Sequence, residues 1–180
     1  SLVLTLVAHQ PYIRCPAKDE VSPEIEMLFS SISETYIPLL NMFEKLDMDS
    51  VPFNISMVLT PTLCELLADY EVQQRYIAWL EQGIALGQAE LDSLSKDNPR
   101  YALAEQCLNR IIKTKDDYTS VYKADLLSAF RYYADRGSIE LLATAATFAF
   151  LPHYIDIPEA INAQIEAGLL AHRHFFGVIP

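Results

Sequence analysis

The chain has 180 residues, 51% of them hydrophobic and 21% charged, with a net charge of −11 at pH 7. That acidic balance argues against a basic face for nucleic acid or anionic membrane, and the apolar content is enough to bury a core. No apolar run reaches the roughly 20 residues that span a bilayer. Cys15, Cys64 and Cys107 show no CxxC spacing, which argues against a disulfide framework or zinc knuckle and for a reducing cytoplasm.

The apolar start lacks a basic region and a small-residue cleavage site, so it reads as a strand and not as a signal peptide. Leu2–Ala8 is β-branched and apolar without polar alternation, the pattern of a strand buried on both faces. Ile25, Leu28, Phe29, Ile32, Tyr36, Leu39, Leu40 and Phe43 then recur at three- and four-residue steps, one helical stripe in which Pro38 predicts a kink. Phe53–Leu59 reads as the second strand. Thr60 is the predicted N-cap of the next helix, with Pro61 at its first position and a break near Asp69. Further helices carry Tyr76 to Leu91, Leu103 to Ile111 and Leu126 to Tyr133, the last stopping at Gly137. Ile139–Thr147 is the third predicted strand. Asp156, with Glu159 three residues on, predicts a capping box for a final helix that ends at Gly177.

Strands alternating with helices imply parallel pairing and an α/β fold. The chain reads as one segment, 1–180, with a helical excursion over 61–136 between strands 2 and 3. Three strands are few for a buried parallel sheet, and the last helix leads to Val178-Ile179-Pro180, where a fourth strand is expected. The pattern is that of the first part of a larger barrel or open sheet. A sheet cut there exposes an unpaired edge, so either self-association along it or a helix covering it is expected.

Ligands of parallel α/β folds bind beyond the C-terminal ends of the strands. His9-Gln10-Pro11-Tyr12, Thr60-Pro61 and the Thr147–Tyr154 loop fall there, which makes His9 and His153 candidates. Each also has an ordinary structural reading as a hydrogen-bonded loop histidine. His172 and His174 face different sides of a helix and cannot chelate together; a role at the helix dipole suits them. Glu140 lies near the start of its strand, where residues usually serve stability. Trp79 and the tyrosines read as core, and Lys115-Asp116-Asp117 as solvated surface. No GxSxG, P-loop, GxGxxG or HExxH is present.

Taken together, His9-Gln10-Pro11 directly after the first strand, Gly137-Ser138-Ile139-Glu140 opening the third, Glu34-Thr35-Tyr36-Ile37-Pro38, Leu59-Thr60-Pro61, Ala145-Ala146-Thr147 and Pro158-Glu159-Ala160 resemble, in order, glycoside hydrolase family 57 and its α-glucan branching-enzyme-like branch. The resemblance implies the N-terminal portion of an incomplete seven-stranded (β/α) barrel. It implies retaining cleavage and transfer of α-glucosidic bonds, which needs two carboxyl groups about 5–5.5 Å apart and neither metal nor cofactor. The family's nucleophile lies in a Trp-x-x-Glu motif on the strand after the helix that ends at Gly177, and its acid/base further on. No catalytic residue is therefore expected within the chain, which alone would be inactive.

The resemblance makes His9 a contact to the sugar ring; Gln10, Glu140, Thr147 and, from its place in the strand-end loop, His153 are further substrate-binding candidates for an α-1,4-glucan or maltooligosaccharide. Two positions depart from the branching type: Val7 and Phe148 stand where a histidine is usual, and an apolar group cannot hydrogen-bond a glucosyl hydroxyl. A divergent specificity, or a non-catalytic glucan-binding or interaction protein, therefore stands beside the branching-enzyme or 4-α-glucanotransferase reading. A metal-dependent carbohydrate deacetylase would need paired histidines and an Asp at ligand spacing, and no such set is present.

Overall fold

The computed structural model describes residues 3–13 and 22–177; Cys15 and the Val178–Pro180 end lie outside them. Strands β1 (Thr5–Ala8), β2 (Ile55–Leu59) and β3 (Ile139–Leu142) form one parallel sheet in the order β1-β2-β3. Leu6 pairs with Met57 and Met57 with Leu141, so the three strands run in a common register. The third strand is shorter than its apolar run suggests. After Leu142 the backbone leaves the ladder, and the Ala146 amide donates to Gln164 O at 2.9 Å instead.

Among the described residues seven α-helices connect and cover the strands: α1 (Pro23–Ser31), α2 (Ile37–Met48), α3 (Pro61–Ala68), α4 (Tyr70–Ser93), α5 (Tyr101–Asp116), α6 (Leu126–Asp135) and α7 (Pro158–Phe176). The kink expected at Pro38 is a wider π-helical turn over Ile32–Tyr36, just ahead of the proline. Proline has no N–H for the usual i→i−4 bond, and a π turn is one way to absorb that loss. Asp69 separates α3 from α4 and caps the latter by accepting from the Val72 amide at 3.0 Å. Asp156 does not cap α7. Ile157 occupies the N-cap with no side-chain bond, and the helix begins at Pro158.

Side chains alternate across a strand, so the sheet has two unlike faces. Met57, Leu59, Ile139 and Leu141 join one core cluster with Leu28, Phe43, Leu63, Phe130 and Phe176, and Leu6 and Ala8 pack against it. Thr5, Val7, Ser56, Val58, Glu140 and Leu142 alternate onto the other face. There Val7 is 57% exposed. The expectation that β1 is buried on both faces is thus corrected: the core cluster takes in its even-numbered residues only.

Asp117 is a second correction. It is buried, not solvated, because its Oδ2 accepts from Asn41 Nδ2 at 2.7 Å and Lys113 Nζ at 2.5 Å. Asn41 in turn accepts from the Tyr122 hydroxyl at 2.6 Å, which ties the helical excursion to α2.

Helix α7 is seated on the loop after β3 through Gly168. A Cβ there would lie 2.0 Å from Thr144 O, so only glycine permits this approach. Replacing Gly168 by Ala is expected to lower the unfolding free energy by about 1–3 kcal/mol in urea titration; a wild-type midpoint would show that α7 does not sit this close.

One turn on, His172 is buried at 5% exposure beside Phe176, with its Nε2 unpaired in the described structure, so it is not a surface partner of the helix dipole. Burial disfavours the imidazolium and pulls its pKa below the ordinary 6.5. The unfolded chain therefore takes up the proton first as pH falls, and stability present at neutral pH is lost below 6.5, down to the depressed value. A His172→Leu variant should lose less stability than wild type between about pH 7.5 and about pH 5. Parallel pH profiles of the two proteins would rule out a buried neutral imidazole.

Candidate active-site rim

Parallel pairing sends the chain out of β1, β2 and β3 at the same end of the sheet, and the three exit loops meet there. His9 follows β1 directly, and its Nδ1 lies 3.1 Å from Thr60 Oγ1 at the end of β2. The Thr60 amide donates to Ala8 O at 3.2 Å, which continues the ladder into the rim. Thr60 stands at the N-cap of α3 as expected, but its hydroxyl does not cap the helix. The side chain is fully buried, and its oxygen faces His9 and, at 3.4 Å, Thr62 Oγ1.

The third loop reaches His9 through an aromatic ring. Phe148 closes a turn in which its amide donates to Ala145 O at 3.0 Å. It holds a left-handed φ of 54°, a conformation rare for a bulky side chain and sustained only by its surroundings. Its ring centroid lies 4.7 Å from that of His9, tilted by 32°. A position where the family resemblance expects a second polar contact is therefore filled by an apolar wall against the imidazole.

The other candidates are placed differently. Gln10 is buried and donates from Nε2 to Glu24 O at 3.3 Å, which fastens the His9 loop to α1. The backbone of the same residue accepts from the Thr62 hydroxyl at 2.6 Å. Thr147 is anchored to α7: its amide and hydroxyl both donate to Gln164 Oε1, at 3.0 and 3.2 Å. His153 sits exposed on a 3-10 turn, Leu151–Tyr154, with its ring 5.9 Å from Phe150.

Glu140 lies lower in the sheet. It is in register with Ser56, which pairs with Thr5, and Ser56 Oγ donates to Glu140 Oε2 at 2.8 Å. His9 is four residues beyond Thr5, a rise of roughly 13 Å along the strand direction. Glu140 thus faces the open side of the sheet well below the rim. Its hydrogen-bond partner is a serine on the neighbouring strand.

Thr60 as partner of His9, with Thr62 behind it, and Ser56 as partner of Glu140 were not singled out from sequence. The available signal was two threonines flanking Pro61 at the end of an apolar strand. Cys64 is no nucleophile: burial, with a smaller contribution from Glu65, pushes its thiol up to about 12. Among the described residues no group of three or more His, Cys, Asp or Glu side chains could hold a metal ion. No helix there is long and apolar enough to cross a membrane. Along the outer edge of β3 runs a groove of about 610 Å³, lined by Arg131, Asp135, Ile139, Glu140, His172 and Phe176 among others.

Comparison with known proteins places the chain among glycosidases of one family. The family model for glycosyl hydrolase family 57 matches residues 3–180. A 1,4-alpha-glucan branching enzyme of Thermococcus kodakarensis is 31% identical over 179 residues, covering 99% of this chain and 26% of the relative. Among solved structures, the alpha-amylase AmyC of Thermotoga maritima superposes with a TM-score of 0.90 at 33% identity, over 99% of this chain and 33% of that one. A family 57-type branching enzyme of Pyrococcus horikoshii superposes with a TM-score of 0.88 at 30% identity, again over 33% of its length. The chain therefore spans only a quarter to a third of these relatives, and along that whole span it belongs to glycosyl hydrolase family 57.

Proposed function

We propose that this chain is the opening part of the catalytic barrel of a retaining α-glucan-acting enzyme, a branching enzyme or 4-α-glucanotransferase-like glycosidase, whose nucleophile and acid/base lie beyond residue 180. The observation that carries the reading is His9, placed by Thr60 at the C-terminal rim of a parallel sheet, where such folds bind their ligands. Family membership and the length of the relatives support it. So does the groove along β3, a suitable seat for a further parallel strand.

In this reading His9 contacts the sugar ring at the cleavage site. Gln10 and Thr147 shape the rim from behind, since their side chains are spent on Glu24 O and Gln164. His153, exposed on its turn, is a contact for a more distant glucosyl unit. Glu140 acts from below the rim, as a negative charge on the open face. Two carboxyl groups about 5–5.5 Å apart then complete a retaining site. The apolar Val7 and Phe148 support a second reading, a glucan-binding protein without turnover, which the same experiment decides.

The test uses the full-length protein with amylose or maltoheptaose. New reducing ends, transferred oligosaccharides or α-1,6 branches are expected, and residues 1–180 alone should give none. A His9→Ala substitution should lower kcat/KM about tenfold or more. Binding of maltoheptaose with no product would establish the second reading, and wild-type kinetics for His9→Ala would remove His9 from the site.

A further inference from the structure

The rim contains a chain of hydroxyl groups whose protons can be counted. Each threonine hydroxyl has one proton to donate, and a carbonyl oxygen has none. Thr62 Oγ1 lies 2.6 Å from Gln10 O, so the Thr62 proton is committed to that carbonyl. Thr62 can then only accept from Thr60, 3.4 Å away. Thr60 is fully buried, so water does not compete for its hydroxyl. If Thr60 gives its proton to Thr62, it meets His9 as an acceptor, and Nδ1, at 3.1 Å, must carry a hydrogen.

The opposite orientation has Thr60 donating to Nδ1. It keeps one bond, loses the other, and turns the lone pairs of two partly or fully buried oxygens toward each other. In a site of low dielectric, the complete and mutually polarised chain is the more stable of the two.

We propose that Thr62 is a positioning residue: acting through Thr60, it holds His9 in the Nδ1–H tautomer and leaves Nε2 as a bare acceptor on the exposed side of the ring. His9 then recognises a donor. Resting on the glucan reading above, that donor is a sugar O–H group, and His9 accepts from it instead of donating to a ring or glycosidic oxygen. The Phe148 ring against the imidazole restrains its rotation, so the acceptor keeps its direction. Thr62 touches no sugar; its effect on binding is transmitted entirely as the choice of tautomer.

The experiment is long-range proton–nitrogen NMR on the full-length protein with 15N-labelled histidine, at about pH 8. The His9 signals are assigned by their loss in His9→Asn. Wild type is expected to show a protonated Nδ1 and a bare Nε2. Thr62→Val, which keeps the shape and removes the hydroxyl, should move His9 toward the Nε2–H tautomer, and Thr62→Ser should restore the wild-type pattern.

Maltoheptaose affinity should fall about three- to tenfold in Thr62→Val and recover in Thr62→Ser. A wild-type His9 protonated at Nε2 would overturn the proposal even if Thr62→Val failed to fold, and so would a tautomer indifferent to Thr62→Val. The tautomer is read without any sugar. The expected tautomers together with unaltered maltoheptaose binding would uphold the relay while removing the glucan as its ligand.

Discussion

The arrangement depends on the common register of three parallel strands. With Leu6, Met57 and Leu141 in one row, every strand leaves the sheet at the same end and needs a crossover to return, and right-handed crossovers in the order β1-β2-β3 fall on one face. That single constraint explains why the helices share one core with Met57, Leu59, Ile139 and Leu141. It also explains why the polar residues of the other face, Thr5, Ser56 and Glu140, form a row across the sheet. A one-residue slip of β2 would exchange these two sets and place Ser56 in the apolar core.

The rim is held by polar groups with few alternatives. Thr60 is fully buried, yet its hydroxyl is not used to cap α3, the task its position suggests. Burial removes water as a partner, so the oxygen must be satisfied by His9 and Thr62. Gln10 does the corresponding work one residue on, with its side chain on Glu24 O and its carbonyl on Thr62. The loop that carries His9 is therefore fixed from α1 and α3 at once. The left-handed Phe148 is the cost of bringing the third loop to the same place.

Helix α7 links this rim to the far side of the third strand. Gln164 takes the Thr147 amide and hydroxyl, Gly168 admits Thr144 O, and His172 and Phe176 reach the groove beside β3. Its last turn ends at Gly177 with a φ of 80°, the left-handed cap that only glycine adopts without strain. A displacement of α7 would thus be felt both at Phe148 and along the open edge of the sheet.

Local pattern was enough to locate the strands, the break at Asp69, the stop at Gly177 and the His9 loop, because apolar runs, caps and helix breakers act within a few residues of themselves. The same reasoning over-extended β3 to Thr147 and placed a cap at Asp156, since small residues and capping spacings occur in more than one local structure. It could not reveal that Asp117 is buried. The Asn41 that satisfies it lies 76 residues away. Nor could it show that Thr60 serves His9, 51 residues earlier, or that Ser56 meets Glu140 across two strands. Sequence by itself determined the type and order of the elements and which loops carry polar groups. Tertiary structure alone decided which of those groups meet, because a hydrogen bond between distant residues exists only once the sheet has brought their strands into register.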